Sequence, residues 1–521
     1  MCQSISFAEA KIGIIIFFVK KGYISLKDSS SLKNNVLTSL AWLGGLKYIG
    51  QIASWVMTLI VIRILQPSDL GLMALASICV NFLVVISELG LGAAIIQKKD
   101  LNDRQLSQVF GFVILSHFVL ALSLHFSAVL ISGFFSEPRL VPILQVLSFN
   151  FLLLALYIIP RSILIREMEF KKKALSDLVA TILSSGVSLF FAFNGYGVWS
   201  LVWASVSIHF LYLVGYTLSC RKFFVPRFHF GEISEFISFG AHTLFSRILW
   251  FFYSKADVAI GGRLLGNELL GIYSVAQELA AIPLSKFMPI ITEVAFPAYS
   301  SIQSNIRLVG SHFLKTGRLG SIILFPVFWG FYSVAPEAVS VLLGEKWETA
   351  AFPLQLVCLI MPLRALGSLI SPMLLGIGRV DINLLNTVIA AVILPAAFWV
   401  GTYYGAIPGL CMGWIFGYGI VFLVMAKLSL RVLQLRLSDF LSNILIAPLA
   451  SVAMVLAVRG SRNFVFVGIP DLWALFLMVP FGVVVYSLLI RFYSPQSVDE
   501  VFSMLPQNSR MVQRIRVVFG M

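Results

Sequence analysis

Ten ionisable residues stand inside long apolar stretches of the chain: Lys47, Glu88, Arg161, Arg247, Lys255, Asp257, Glu278, Lys286, Glu293 and Arg364. A charge at the centre of a hydrocarbon layer costs about 2.5–3.5 kcal/mol on insertion scales, so such residues normally face a wet interior and mark a pathway. Six are cations and four carboxylates, and a cavity with that balance suits an anion. Lys47, Arg161, Arg247 and Arg364 are the expected substrate-binding cations. Glu88, Lys255, Asp257, Glu278 and Lys286 are the expected cavity carboxylates and their partners. Two roles are open to Glu88, pairing with a cavity cation and holding a coupling ion. Lys255 and Asp257 have a local alternative, satisfying each other or adjacent helices. Arg161 and Glu293 have another, lying shallow enough for the side chain to reach the interface.

Other chemistry is not legible. There is no paired-carboxylate loop, no His/Cys cluster, no Ser/His/Asp set and no Gly-rich phosphate loop, and the six histidines are dispersed. Cys2, Cys79, Cys220, Cys358 and Cys411 lack a CxxC spacing, and three lie in apolar stretches, as small buried hydrophobes do. No catalytic residue, metal or cofactor is expected. A membrane-embedded polymerase or glycosyltransferase needs a sizeable extramembrane domain, and the longest external break, near 459–471, has only about a dozen residues.

The elements that position these charges follow from composition. Of 521 residues, 59% are hydrophobic and 12% charged, a balance that belongs in a bilayer. Apolar stretches of about 20 residues, enough for a helix to cross roughly 30 Å, recur from Leu37 to Phe492. The expected fold is an all-α bundle of about fourteen transmembrane helices. The spans lie near 38–62, 72–96, 109–132, 142–165, 174–194, 197–218, 236–262, 270–294, 319–343, 352–376, 382–401, 406–426, 441–458 and 472–491. They organise as a cytoplasmic or interfacial extension (1–35), an N-lobe (36–218), a linker (219–235), a C-lobe (236–426), two further spans (427–495) and a tail (496–521). The extension holds an apolar run, Ile12 to Val19, that resembles a signal-peptide core, but no small-residue cleavage site follows.

The net charge of +14 sits in the breaks between spans, where it sets orientation and does not point to nucleic acid. With the N-terminus inside, internal segments hold 26 Lys and Arg against 6 outside. Both termini are therefore expected in the cytoplasm.

The chain also repeats itself. Arg63-Ile64-Leu65-Gln66-Pro67-Ser68-Asp69-Leu70-Gly71 returns 200 residues later as Arg263-Leu264-Leu265-Gly266-Asn267-Glu268-Leu269-Leu270-Gly271. The same offset relates Lys47 to Arg247, and a weaker echo links Ile159-Pro160-Arg161 to Met361-Pro362-Leu363-Arg364. An even number of intervening spans makes the repeat parallel, and transporters built this way place their site between the halves and rock one against the other. Breakers Gly90, Gly92, Pro283, Pro289 and Pro297 suit helices that bend around a cavity.

The stretch from Ile49 through Ile62 and Gly71 to Glu88-Leu89-Gly90-Leu91-Gly92-Ala93-Ala94-Ile95-Ile96-Gln97, and Asp257-Val258-Ala259-Ile260-Gly261-Gly262-Arg263 through Leu270-Gly271-Ile272-Tyr273-Ser274-Val275-Ala276, resemble the bacterial polysaccharide transporter family. That family belongs to the multidrug, oligosaccharidyl-lipid and polysaccharide flippase superfamily; the nearest subgroup is the colanic-acid and exopolysaccharide type. The resemblance covers spans 1 to 12, with 13 and 14 matched by count. It implies a two-lobed bundle in the inner membrane that alternates between inward-open and outward-open forms. It implies a cargo of undecaprenyl-diphosphate-linked oligosaccharide, carried from the cytoplasmic to the periplasmic leaflet and consumed there by polymerase and chain-length machinery. A peptidoglycan-precursor flippase shares that chemistry and stays open. A multidrug antiporter shares the architecture, but a cavity for cationic drugs should favour carboxylates.

Overall fold

The computed structural model describes residues 50–51, 53–87, 102–220, 225–229, 234–495 and 500. Among them every regular element is helical: α1 (Ala53–Ile64), α2 (Pro67–Ser87), α3 (Asp103–Phe135), α4 (Leu140–Arg166), α5 (Phe170–Phe193), α6 (Trp199–Cys220), α7 (Ser234–Leu264), α8 (Asn267–Ser301), α9 (Ile306–Leu343), α10 (Ala351–Gly367), α11 (Ile370–Gly376), α12 (Val380–Met412), α13 (Gly419–Val432), α14 (Leu437–Phe464) and α15 (Asp471–Tyr493). The expected extension 1–35 lies outside the described residues, as does the tail apart from Glu500.

Two helix starts, those of α3 and α9, are set by short polar caps. Asn102 Oδ1 accepts the Gln105 amide at 2.7 Å and Asn305 Oδ1 accepts that of Leu308 at 3.1 Å, satisfying donors that the first helical turn leaves without a partner. The helices are apolar on nearly every side, and Phe126, Leu130, Phe190 and Phe193 stand exposed on the outer surface. In water such faces would drive association; in a bilayer they meet lipid tails.

Among the described residues, ten elements are long and apolar enough to cross a membrane. Charge-bearing α7 and α8 are not among the ten, and the described part of α1 is short. One of the ten, Val380–Val432, has 53 residues, which at 1.5 Å per residue would run about 80 Å if straight. It folds back on itself instead. Ala406 takes φ 49 and ψ −133, and a Cβ on Gly409 would lie 1.8 Å from the Gly401 carbonyl oxygen. Only glycine lets the two arms approach this closely, and the hairpin accounts for the separate spans expected at 382–401 and 406–426.

The halves meet along α2 and α8, with α7 also against α2. The continuous core joins Leu72 and Leu75 of α2 to Leu270, Tyr273 and Ala276 of α8, and on to Trp347, Cys358 and Leu366. A second core joins α3, α4 and α6 around Tyr157 and Tyr216. The last two helices pack on α9 and carry their own small core around Met454 and Met478.

The repeated segment lies at the seam. A Cβ on Gly71 would sit 1.8 Å from the Asn267 carbonyl oxygen, and one on Gly271 would sit 1.8 Å from the Pro67 carbonyl oxygen. Each copy of the repeat therefore touches the start of the other.

Candidate functional site

The C-terminal half gathers its polar groups around Asp257, which is fully buried on α7. Its Oδ2 accepts hydrogen bonds from Tyr273 Oη at 2.6 Å, Gln277 Nε2 at 2.9 Å and Trp414 Nε1 at 3.1 Å. The two partners from α8 sit one turn apart on one helix face, while Trp414 comes from a π-helical turn, Gly413–Tyr418, between α12 and α13. Such turns widen a helix and recur at functional positions. Here the turn follows the hairpin and directs the indole inward, buried, with Nε1 also 2.8 Å from Tyr273 Oη. Three donors on one oxygen suit a buried carboxylate.

The indole so held carries Arg364. The guanidinium carbon lies 3.9 Å from the Trp414 ring centroid, a cation–π contact, and Nη1 is 3.8 Å from Met361 Sδ. Among the described residues no carboxylate pairs with Arg364. Tyr418, one turn beyond Trp414, packs against Gly367, where a Cβ would meet its hydroxyl at 2.3 Å. The chain thus runs from carboxylate to indole to half-buried guanidinium, with a cation available at its end.

The N-terminal half has a separate arrangement at the end of the bundle carrying the α4–α5 turn. Tyr157 and Arg161 of α4, Lys173 and Asp177 of α5, and Tyr212 and Tyr216 of α6 line a cavity of about 160 Å³. Lys173 Nζ is 2.6 Å from Asp177 Oδ2, and Tyr216 Oη donates to Asp177 Oδ1. Tyr157 Oη is 3.0 Å from His209 Nδ1, and the Tyr212 and Tyr216 rings stack at 5.4 Å.

At the opposite end the halves are tied together. Arg263 Nη1 donates to the Phe134 carbonyl at 2.7 Å and to Ser136 Oγ at 2.9 Å, capping the end of α3. Asn267 donates to Glu137, which also takes Arg139 Nε at 2.8 Å. The arginine beside Glu137 holds its carboxyl below the ordinary value. On the other side of the seam, Lys346 Nζ donates to the Ile64 carbonyl at 2.8 Å and Trp347 Nε1 to that of Ile62 at 3.0 Å.

Of the nine expected site residues, Lys47 and Glu88 lie outside the described residues, as does the side chain of Lys286. Arg247 is exposed on α7. Lys255, also exposed, does not satisfy its near neighbour Asp257, which faces inward to Tyr273, Gln277 and Trp414; Glu278 is exposed on α8. Asp257 and Arg364 come together through Trp414, whereas Arg161 stands in the other half. Tyr273, Gln277 and Trp414 escaped the sequence reading because a buried aromatic in an apolar span looks like ordinary core. The polar Gln277 among apolar neighbours on α8 was the available signal.

Two helical halves that share a repeated segment, apolar on their outer surface, with Asp257 and Arg364 drawn inward and the halves tied together at one end, have the architecture of a membrane transporter. The chain belongs to the polysaccharide biosynthesis protein family, whose profile matches residues 60–352. It is 27% identical over 383 residues to the teichuronic acid biosynthesis protein TuaB of Bacillus subtilis, covering 73% of this chain and 79% of that one. It is 27% identical to the lipopolysaccharide biosynthesis protein WzxC of Escherichia coli (68% and 72% covered). It is also 27% identical to the succinoglycan biosynthesis transport protein ExoT of Rhizobium meliloti (83% and 87%). In fold it is similar to the lipid II flippase MurJ in an inward closed conformation, at TM-score 0.67 and 14% identity, covering 88% of this chain and 99% of that one. An inward-facing multidrug resistance transporter of the MATE family follows at TM-score 0.55 and 17% identity (73% and 94%).

Proposed function

We propose that the protein carries undecaprenyl-diphosphate-linked oligosaccharide from the cytoplasmic to the periplasmic leaflet of the bacterial inner membrane by alternating access. The observation that carries this reading is that Arg364, half-buried within an apolar helix, has no carboxylate partner among the described residues. An unpaired guanidinium at membrane depth is costly, and an anionic cargo offsets that cost. Arg364, Arg161, Arg247 and Lys47 are the proposed contacts for diphosphate and sugars, while the polyprenyl tail stays in lipid. Relatives named for polysaccharide biosynthesis and transport support a glycan cargo.

The excess of Lys and Arg in alternate loops supports an orientation with both termini cytoplasmic. The Gly71–Gly271 seam is then the periplasmic closure, and the structure corresponds to an outward-closed form. A potential negative inside assists outward movement of the diphosphate by about 2.3 kcal/mol per charge per 100 mV. Consumption of the unit by a periplasmic polymerase adds pull. No step in this cycle requires bond-making, and the reading is of a transporter, not an enzyme.

The test is reconstitution into liposomes carrying a short-chain undecaprenyl-diphosphate oligosaccharide, timing its exposure to an external sugar-modifying enzyme. Wild type should expose it rapidly; Arg364→Gln and Lys47→Ala/Arg247→Ala should not. Exposure of the peptidoglycan precursor instead, with no oligosaccharide moved, would transfer the reading to that substrate.

A further inference from the structure

The cavity in the N-terminal half has a composition that selects a ligand. Its charges are one carboxylate, Asp177, and two cations, Lys173 and Arg161. Asp177 is spent: Oδ2 meets Lys173 Nζ at 2.6 Å and Oδ1 takes the Tyr216 hydroxyl. The Tyr157 hydroxyl is engaged with His209 at 3.0 Å. What stays available is the Arg161 guanidinium, exposed and without a hydrogen bond or ion pair among the described residues, against walls of phenol rings.

Size narrows the choice. A volume of about 160 Å³ is about five times the ~30 Å³ share of one water molecule, which admits a single sugar-sized ring but no oligosaccharide chain. A guanidinium fork matches the two oxygens of a carboxylate or phosphate, and aromatic walls accept the apolar face of a ring. Position fits as well. Arg161 lies five residues before the end of α4 at Arg166, about 7.5 Å along the axis, within reach of the headgroup level.

We propose that this cavity is a subsite for one sugar ring bearing an oxyanion, with Arg161 gripping the oxyanion and Tyr157, Tyr212 and Tyr216 walling the ring. It deepens the glycan-transport reading and rests on it. The oxyanion has two sources, the sugar's own carboxylate, as in a uronic acid, or a phosphate ester at its anomeric carbon. The subsite makes the carrier selective for acidic or phosphate-proximal sugars before the cargo reaches Arg364.

The experiment is calorimetric titration of the purified full chain with methyl glucuronide, glucose 1-phosphate and methyl glucoside, three ligands with one ring and different charges. At least one anionic sugar should bind tenfold or more tightly than methyl glucoside, and the glucuronide and glucose 1-phosphate arms identify the source. Arg161→Gln should erase that preference, Arg161→Lys should keep part of it, and Tyr212→Leu should weaken all three. Arg379→Gln, at an exposed arginine paired with Asp381 between α11 and α12 and remote from both sites, should leave the preference unchanged. Equal binding of charged and neutral sugars, no binding of any, or a preference that survives Arg161→Gln would overturn the proposal. Glycan transport is scored separately in liposomes. Transport without Arg161-dependent preference sinks the subsite alone, and preference without transport sinks the glycan-transport reading alone.

Discussion

Gly71 and Gly271, 200 positions apart, are each pressed against the backbone that begins the other's helix: Gly71 on Asn267 and Gly271 on Pro67. The repeat seen in the sequence is thus also a contact, related by an approximate two-fold axis through the α2–α8 seam. Because both neighbours are backbone, neither can yield by a rotamer change, so the seam closes only where both positions lack a Cβ.

Gly71→Ala or Gly271→Ala should therefore part the two helix starts. Overpacking of this kind costs about 1–3 kcal/mol, which converts to roughly 5–150-fold in a conformational equilibrium. Spin labels at Ser68 and Glu268 should report a longer distance in each variant than in wild type, and transport should fall. An unchanged distance would mean that the seam absorbs the methyl group elsewhere.

The ties at that end should be sensitive to acid. Glu137 accepts from Arg139 and Asn267, and its carboxyl is held below the usual range mainly by the hydrogen bond from Arg139. A depressed carboxylate contributes to closure above its free value of about 4.3, and that contribution is lost as pH falls through the depressed one. Label distances across the seam should widen below about pH 4 in wild type. Glu137→Gln should show the wider distance at neutral pH and little further change on acidification.

Trp414 is held by Asp257 and in turn holds Arg364. Trp414→Ala should destabilise by about 3–5 kcal/mol, as large-to-small core changes do, and should abolish transport with it. Trp414→Phe keeps a ring under the guanidinium but leaves Asp257 one donor short, at a cost of about 1–3 kcal/mol. Thermal unfolding in detergent should rank wild type above Trp414→Phe, and that above Trp414→Ala.

The last two helices are joined to the bundle by charge as well as packing. Glu337 of α9, nearly buried, lies 3.2 Å from Arg462 Nε and 3.7 Å from Arg459 Nη1, and Arg462 continues to Asp471 at 2.9 Å. Removing one member of a buried pair costs about 3–5 kcal/mol, and partial exposure of these arginines places Glu337→Gln near 3 kcal/mol or below. Limited proteolysis should cut the α14–α15 segment faster in this variant.

The helical class and the rough place of most helices were legible because hydropathy and charge are properties of short windows. The offset of 200 was legible because identity needs no geometry, and the break near residue 406 because glycines and a proline cluster there. What could not be read was which charge meets which partner. Lys255 and Asp257 are two residues apart, yet one is exposed and the other turns inward to Tyr273, Gln277 and Trp414. Arg161 and Arg364 echo each other in sequence, yet one lines a tyrosine-walled cavity near a bundle end and the other rests on an indole inside the opposite half. Such partners come from helix faces up to 157 residues apart, and the pairing is decided by long-range packing that a linear pattern does not encode.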